Sequence, residues 1–229
     1  MIKIAKNKEP KEWTEYRNTP GVDYQSIPEL VESLLKEQGY ICAYCMRRIP
    51  HRDKLYKKDG IKYVLTDESH RIEHILSRDN HPDKKLDYNN MVVCCPGHIG
   101  DEDHCDRLKG SNDISFSPLD SVFISTLSYK TDGEIVSSEQ KYNKEINEVL
   151  NLNTPLLKKN RKESWESVKR ELINIKKGNG WSKAVIEKYI QKYCSMHINK
   201  EGKSQYIPYC GIVVYNLQKN IGRFNNKHP

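Results

Sequence analysis

The chain contains no apolar run approaching the roughly 18 to 20 residues of a membrane span, which excludes a helical membrane protein. Its opening, Met1-Ile-Lys-Ile-Ala-Lys-Asn-Lys8, lacks the apolar middle of a secretory leader, so a cytoplasmic location is the expectation. No internal repeat is visible, which removes the solenoid architectures. Apolar residues are scarce, at 36% with a mean hydropathy of −0.82. Even so, 229 residues suffice for one sizeable domain or two small ones, each with a core. Acidic excess is missing too: the formal charge is +7 and the isoelectric point about 8.9. The surplus is local. Residues 141–203 hold 15 Lys and Arg against 7 Asp and Glu, leaving the rest of the chain near neutral. A basic lobe beside a near-neutral one suits a surface that tracks phosphates, and solvated lysine-rich helix faces would give the same count.

What is present falls into three stretches. Residues 1–39 read as a polar, Lys-rich arm anchored by Trp13 and Tyr16, followed by a helix. Ser26-Ile-Pro-Glu29 offers a capping box and an early proline, Leu30, Val31, Leu34 and Leu35 supply the apolar face, and Gly39 the stop. In residues 40–112, Ile61–Leu65 and Arg71–Leu76 read as strands, residues 51–60 and 77–88 as loops, and residues 89–109 lead into a short helix. Residues 113–229 open with a hairpin signal at Asp132-Gly133 and then read as mainly helical and basic. There Trp165, Val168, Leu172 and Ile175 share a helical face, and Ser182 caps a helix carrying Val185, Ile186, Tyr189, Ile190 and Tyr193. The last apolar run, Ile207 to Leu217, is expected to dock onto the core.

Seven cysteines in a reducing compartment suggest metal before disulfides. Cys42-Ala-Tyr-Cys45 is a knuckle whose thiolates can share a tetrahedral zinc, and two further soft ligands must close the site. Candidates downstream are Cys94, Cys95 and Cys105, with His98 and His104 as substitutes. Cys95 and Cys105 are preferred, because Cys94 ends the alternating run Met-Val-Val-Cys and points toward the core. Cys194 and Cys210 sit in apolar surroundings and are read as core filling.

Between the two cysteine groups lies Arg71-Ile-Glu-His-Ile-Leu76, then Asn89-Asn-Met-Val-Val-Cys-Cys-Pro-Gly97, then His104-Cys-Asp-Arg-Leu-Lys-Gly110. This order resembles the HNH nucleases, in which a β-hairpin and a helix grip one catalytic metal. The resemblance implies an α+β fold with a zinc-stapled ββα-metal core over residues 40–112 and flanking, mainly helical segments. It assigns His74 as general base and Glu73 as a ligand of a catalytic Mg²⁺ or Mn²⁺. Asp106 stands where relatives place the second ligand. Either Asn89 or Asn90 would fix the loop and orient His74 through its side-chain amide, and Lys109 or Arg107 could hold a phosphate. The residue types suit the chemistry: an imidazole titrating near neutrality can take a proton from water, and a hard cation can polarise a phosphodiester.

Two departures stand out. The third motif letter is Asp106 rather than His, and nine residues, Pro96 to His104, split the last cysteine pair. His98 or His104 could therefore replace Asp106 at the metal or a thiolate at the zinc. Within the family, the motifs are most similar to the PtuB-type nucleases of Septu and certain retron anti-phage systems. That similarity implies a nucleic-acid substrate, a PtuA-like ATPase partner and, in retrons, a reverse transcriptase with its RNA–DNA hybrid in the same complex. The other readings are a zinc-bound nucleic-acid-binding or adaptor module without activity, and a stand-alone restriction-type HNH enzyme.

Overall fold

In the computed structural model the described residues are all except 51–55, 60–61, 66–68, 100–101, 176–180 and 226–229. The fold is α+β, with helices packed around small two-stranded antiparallel sheets. Two helices lead, α1 (Lys11–Arg17) and α2 (Pro28–Glu37). Pro28 opens α2 as expected, but its N-cap is Ile27 and no side chain caps it, so Ser26 does not build the capping box. Leu30, Leu34 and Leu35 face the core, and the helix ends before Gly39, whose φ of +54° brings it against Tyr206. The arm does more than pack locally. Met1, Ile4 and Trp13 are buried in the main core, and Ile4 N donates to Pro118 O.

The hairpin of β1 (Tyr56–Asp59) and β2 (Lys62–Leu65) follows, so part of the stretch expected as a loop is strand. The expected strand start at Ile61 lies outside the described residues. Strand β3 (Arg71–His74) pairs antiparallel with β4 (Met91–Cys94), setting Glu73 opposite Val92 and His74 opposite Met91. All four residues of β4 are buried. Its outer edge is closed by side-chain chemistry, because Gln38 accepts from Val93 N at 2.7 Å and donates to Val93 O at 2.7 Å. A buried strand edge left open would strand those polar groups without partners.

The short hairpin of β5 (His98–Ile99) and β6 (Glu102–Asp103) precedes the one-turn helix α3 (Asp106–Lys109). Beyond it come α4 (Ser121–Ser125) and the hairpin β7 (Leu127–Tyr129) with β8 (Ile135–Ser137), turned at Gly133 as Asp132-Gly133 signalled. Helix α5 (Gln140–Lys144) runs into a π-helical turn, and α6 (Pro155–Asn174) starts at Thr154, whose hydroxyl accepts from Leu157 N. Val168 and Leu172 are buried on α6, with Trp165 and Ile175 half-buried beside them. Helix α7 (Lys183–Cys194) buries Ile186 and Tyr193, though Ser182 makes no side-chain cap. A hairpin of β9 (His197–Ile198) and β10 (Ser204–Gln205) leads to α8 (Cys210–Asn225), which packs on α6, α7 and β7 and buries Ile212, Val213 and Leu217. Cys210 is buried as expected, whereas Cys194 is exposed at the end of α7 and fills no core. No helix of the described residues is long and apolar enough to cross a membrane.

Candidate active site and metal centre

The first knuckle is a tight turn in which Met46 N donates to Cys42 O at 3.1 Å and Cys42 N to Arg47 O at 2.9 Å. The second departs from the usual spacing, and the β5–β6 hairpin absorbs the difference: His104 N returns to Gly97 O at 2.7 Å, bringing Cys105 back beside Cys95. Gly97 is required there, since at φ +74° a Cβ would lie 2.4 Å from His104 O. From the other half of the chain, Leu150 O accepts from Cys105 N at 2.8 Å and fixes the fourth cysteine.

The sulfurs of Cys42, Cys45, Cys95 and Cys105 all lie within 4.8 Å of one another, fully buried. The Cys42–Cys105 and Cys45–Cys95 separations are 3.8 and 3.6 Å. Four thiolates around a tetrahedral zinc at about 2.3 Å stand about 3.8 Å apart, so the donor set fits a structural zinc in number, chemistry and spacing. Burial opposes ionisation of Cys42, yet hydrogen bonds from the Cys105, Cys45, Cys94 and Cys95 thiols draw its pKa well below the ordinary value. Burial pushes the Cys45 and Cys105 thiols well up. Cys94 lies outside this set, buried on β4 opposite Arg71. Neither candidate histidine replaces a ligand among these four. His98 is exposed and pairs with Asp103 at 2.7 Å, and buried His104 places Nδ1 3.1 Å from the Cys105 sulfur.

From this knuckle the chain reaches the second site directly. The Tyr44 hydroxyl, inside Cys-Ala-Tyr-Cys, donates to Glu73 Oε1 at 2.9 Å. Lys109 Nζ, wholly buried, lies 2.9 Å from the same oxygen and donates to His74 O at 3.1 Å. Asp106, at the start of α3, is close enough to Glu73 to oppose its ionisation and is held by Arg71 Nε at 2.9 Å. Burial, then this neighbouring carboxyl, pushes Glu73 up to about 8, against the pull of Lys109. Glu73 is only 2% exposed, its Oε1 is taken by Tyr44 and Lys109, and Asp106 carries Arg71.

His74, buried beside Glu73, has Nε2 3.0 Å from Lys85 O. A carbonyl can only accept, so Nε2 carries the hydrogen and Nδ1 keeps a free lone pair. Burial is the main cause that lowers the imidazole to about 4, below the near-neutral titration expected of it, and leaves it neutral at physiological pH. Among the described residues the Asn90 amide makes no hydrogen bond to His74. That amide instead accepts from Leu76 N at 2.8 Å and donates to Leu76 O and Lys84 O at 2.9 and 3.2 Å. It thereby fixes the loop, one residue from the carbonyl that orients the imidazole. Asn89 is exposed, and its backbone caps on Asp87.

These groups open into a cleft of about 250 Å³ lined by Arg71, Glu73, His74, Ser77, Arg78, Asp79, Asp106, Arg107, Gly110 and Ser111, with Ile72. The two residues expected to hold phosphate are both engaged. Lys109 is consumed by Glu73 and the His74 carbonyl, and Arg107 pairs with Asp103 at 2.9 Å. Several contributors escaped the sequence reading. Tyr24 of the N-terminal arm stands edge-on to His74 with ring centroids 4.7 Å apart, and Arg78 lies over the Tyr24 ring at 4.7 Å. Neither Tyr24 nor Tyr44 carries a motif of its own, although Tyr44 was visible inside the knuckle. No protein-family model matches this chain, and no curated protein matches it in sequence.

Proposed function

We propose that the chain is a metal-dependent endonuclease of the HNH type, hydrolysing phosphodiester bonds of DNA or RNA. The observation that carries this reading is one cleft holding a histidine of defined tautomer beside two neighbouring carboxyls, with arginines on its rim. His74 Nδ1 takes a proton from an attacking water, while the Nε2–H bond to Lys85 O holds the ring and shares the charge it gains. Glu73 and Asp106 would hold the catalytic Mg²⁺ or Mn²⁺, which supplies polarisation of the phosphate and stabilisation of the departing 3′ oxygen. Lys109 and Tyr44 fix Glu73 in place, and through Tyr44 the zinc knuckle sets the carboxyl's position. Zinc on Cys42, Cys45, Cys95 and Cys105 is structural in this account.

The motif resemblance extends the proposal to biology: an effector nuclease of a Septu or retron type defence complex, held and licensed by a PtuA-like ATPase. Purified protein, with and without that ATPase, is mixed with plasmid DNA and with bulk tRNA in Mg²⁺ or Mn²⁺. Cleavage is expected, and His74→Ala should lower its rate by about 10²- to 10⁴-fold while leaving the zinc content unchanged. Cleavage that survives in His74→Ala would contradict the assignment of the base. No cleavage of either substrate by zinc-loaded protein with the ATPase would favour the adaptor reading.

A further inference from the structure

We infer that Arg78, carried on the face of Tyr24, is the residue that takes a backbone phosphate of the substrate in this cleft. The inference rests on the proposed nuclease reading and names a contact that reading lacks. Three arginines line the cleft, and a lysine lies beneath it. Arg71 is held by Asp106, Arg107 by Asp103 and Lys109 by Glu73, each at 2.9 Å. Arg78 is different. Among the described residues no carboxylate and no hydrogen-bond acceptor engages its guanidinium, which rests 4.7 Å from the Tyr24 ring centroid. Asp23, the acid next to Tyr24, is already paired with Lys85 at 2.7 Å.

A guanidinium on an aromatic face keeps its in-plane N–H donors free while the ring restrains its position. It is a planar fork suited to two phosphate oxygens, and it lines the same cleft as His74. Tyr24 contacts both, packing its edge on the imidazole. The arm that carries it is tied to the catalytic loop by the Asp23–Lys85 pair, and Lys85 O is the acceptor for His74 Nε2. Tyr24 is thus a positioning residue that sets the spacing between the phosphate-holding cation and the base.

Binding is measured by fluorescence anisotropy in buffer lacking Mg²⁺ and Mn²⁺, over a series of salt concentrations, with duplex DNA and with tRNA as separate probes. Wild type, Arg78→Ala, Tyr24→Ala and Tyr24→Phe are compared, with zinc content and melting temperature confirming that each is folded. Arg78→Ala should weaken binding about ten- to a hundred-fold. It should also reduce the slope of log K against log salt by about 0.9 on a duplex, or about 0.7 on single-stranded segments. Tyr24→Ala should weaken binding in the same direction, and Tyr24→Phe, which keeps the ring, should bind like wild type. The probe on which Arg78→Ala changes the slope identifies the source of the phosphate. Nucleic-acid binding with affinity and slope unchanged in Arg78→Ala would overturn this inference and leave the nuclease reading standing. Wild type that binds neither probe would overturn both.

Discussion

At the scale of single residues, the site is governed by what burial does to charge. In Mg²⁺- and Mn²⁺-free buffer Glu73 keeps its proton up to about 8, whereas its ordinary value is 4.5. Between those values the native chain binds a proton that the unfolded chain has lost. The Glu73 contribution is therefore full below pH 4.5 and falls as pH rises toward 8, by at most about 1.4 kcal/mol per unit. His74 has the opposite sign. Its pKa is lowered from 6.5 to about 4, so its contribution is present above 6.5 and lost as pH falls through that window. The buried Met1 amine, lowered from 8.0 to about 5, also favours folding as pH rises. The informative quantity is therefore the difference in denaturation midpoint between wild type and Glu73→Gln. It should shift in favour of the variant from pH 6.5 to 8, and a difference independent of pH would contradict a protonated Glu73. Legibility at this scale was mixed. Glu73, His74 and Asp106 were marked by their types and order in the chain. The occupation of Lys109 was not legible, because a lysine two residues after an arginine gives no sign of which one turns inward.

At the scale of elements, the two cysteine knuckles bring the four sulfurs together, and their backbone leaves little latitude. Gly97→Ala would force a Cβ to 2.4 Å from His104 O and 2.5 Å from Arg107 Cβ at a φ of +74°. We expect it to destabilise the protein by more than about 1 kcal/mol, read as a lowered melting temperature, with loss of zinc. Gly110→Ala is a comparison, since a Cβ there meets nothing within 4 Å and only the φ of +52° opposes it. Cys42→Ser removes a ligand outright. Such protein should purify without zinc and with residues 40–112 unfolded, because the energy of a structural zinc site is folding energy. Normally folded, zinc-replete Cys42→Ser protein would sink the ligand set. The knuckle positions and strand β3 were legible from cysteine spacing and an apolar run, whereas the apolar run Met91–Cys94 was noted and not read as the strand it forms. The β5–β6 hairpin that closes the split pair was not, since two-residue strands carry no periodic signal. The capping box at Ser26 and the cap at Ser182 failed for a different reason: the motif states which side chain is able to cap, and tertiary placement decides whether it turns to do so.

At the scale of the whole molecule, the two halves of the sequence are not separate in their effects on the site. Leu150 O fixes Cys105 N, and Asn151 Nδ2 donates to Asp103 O at 3.1 Å, so residues beyond the motif region shape the metal centre. The arm contributes from the other end through Trp13 in the core and Tyr24 on His74. Such long-range contacts leave no trace in local pattern, which is why the sequence showed only a short arm with Trp13 and Tyr16 as local anchors. Within the basic stretch Lys169 and Lys192 pair with Glu166 and Glu171, acids already counted among its seven, and only the Lys158–Asp132 pair draws an acid from outside residues 141–203. Surface pairs of this kind contribute about 0 to 1 kcal/mol each.

The central claim is that this cleft hydrolyses phosphodiesters with His74 as base. It is tested most directly on a small chromogenic phosphodiester, bis(p-nitrophenyl) phosphate, which needs no sequence recognition, assayed in the presence of the proposed ATPase partner. Zinc-loaded wild type should release nitrophenolate only when Mn²⁺ or Mg²⁺ is added, and His74→Ala should fall to the rate of buffer and metal alone. Equal rates for wild type and His74→Ala, or release independent of added metal, would contradict the account.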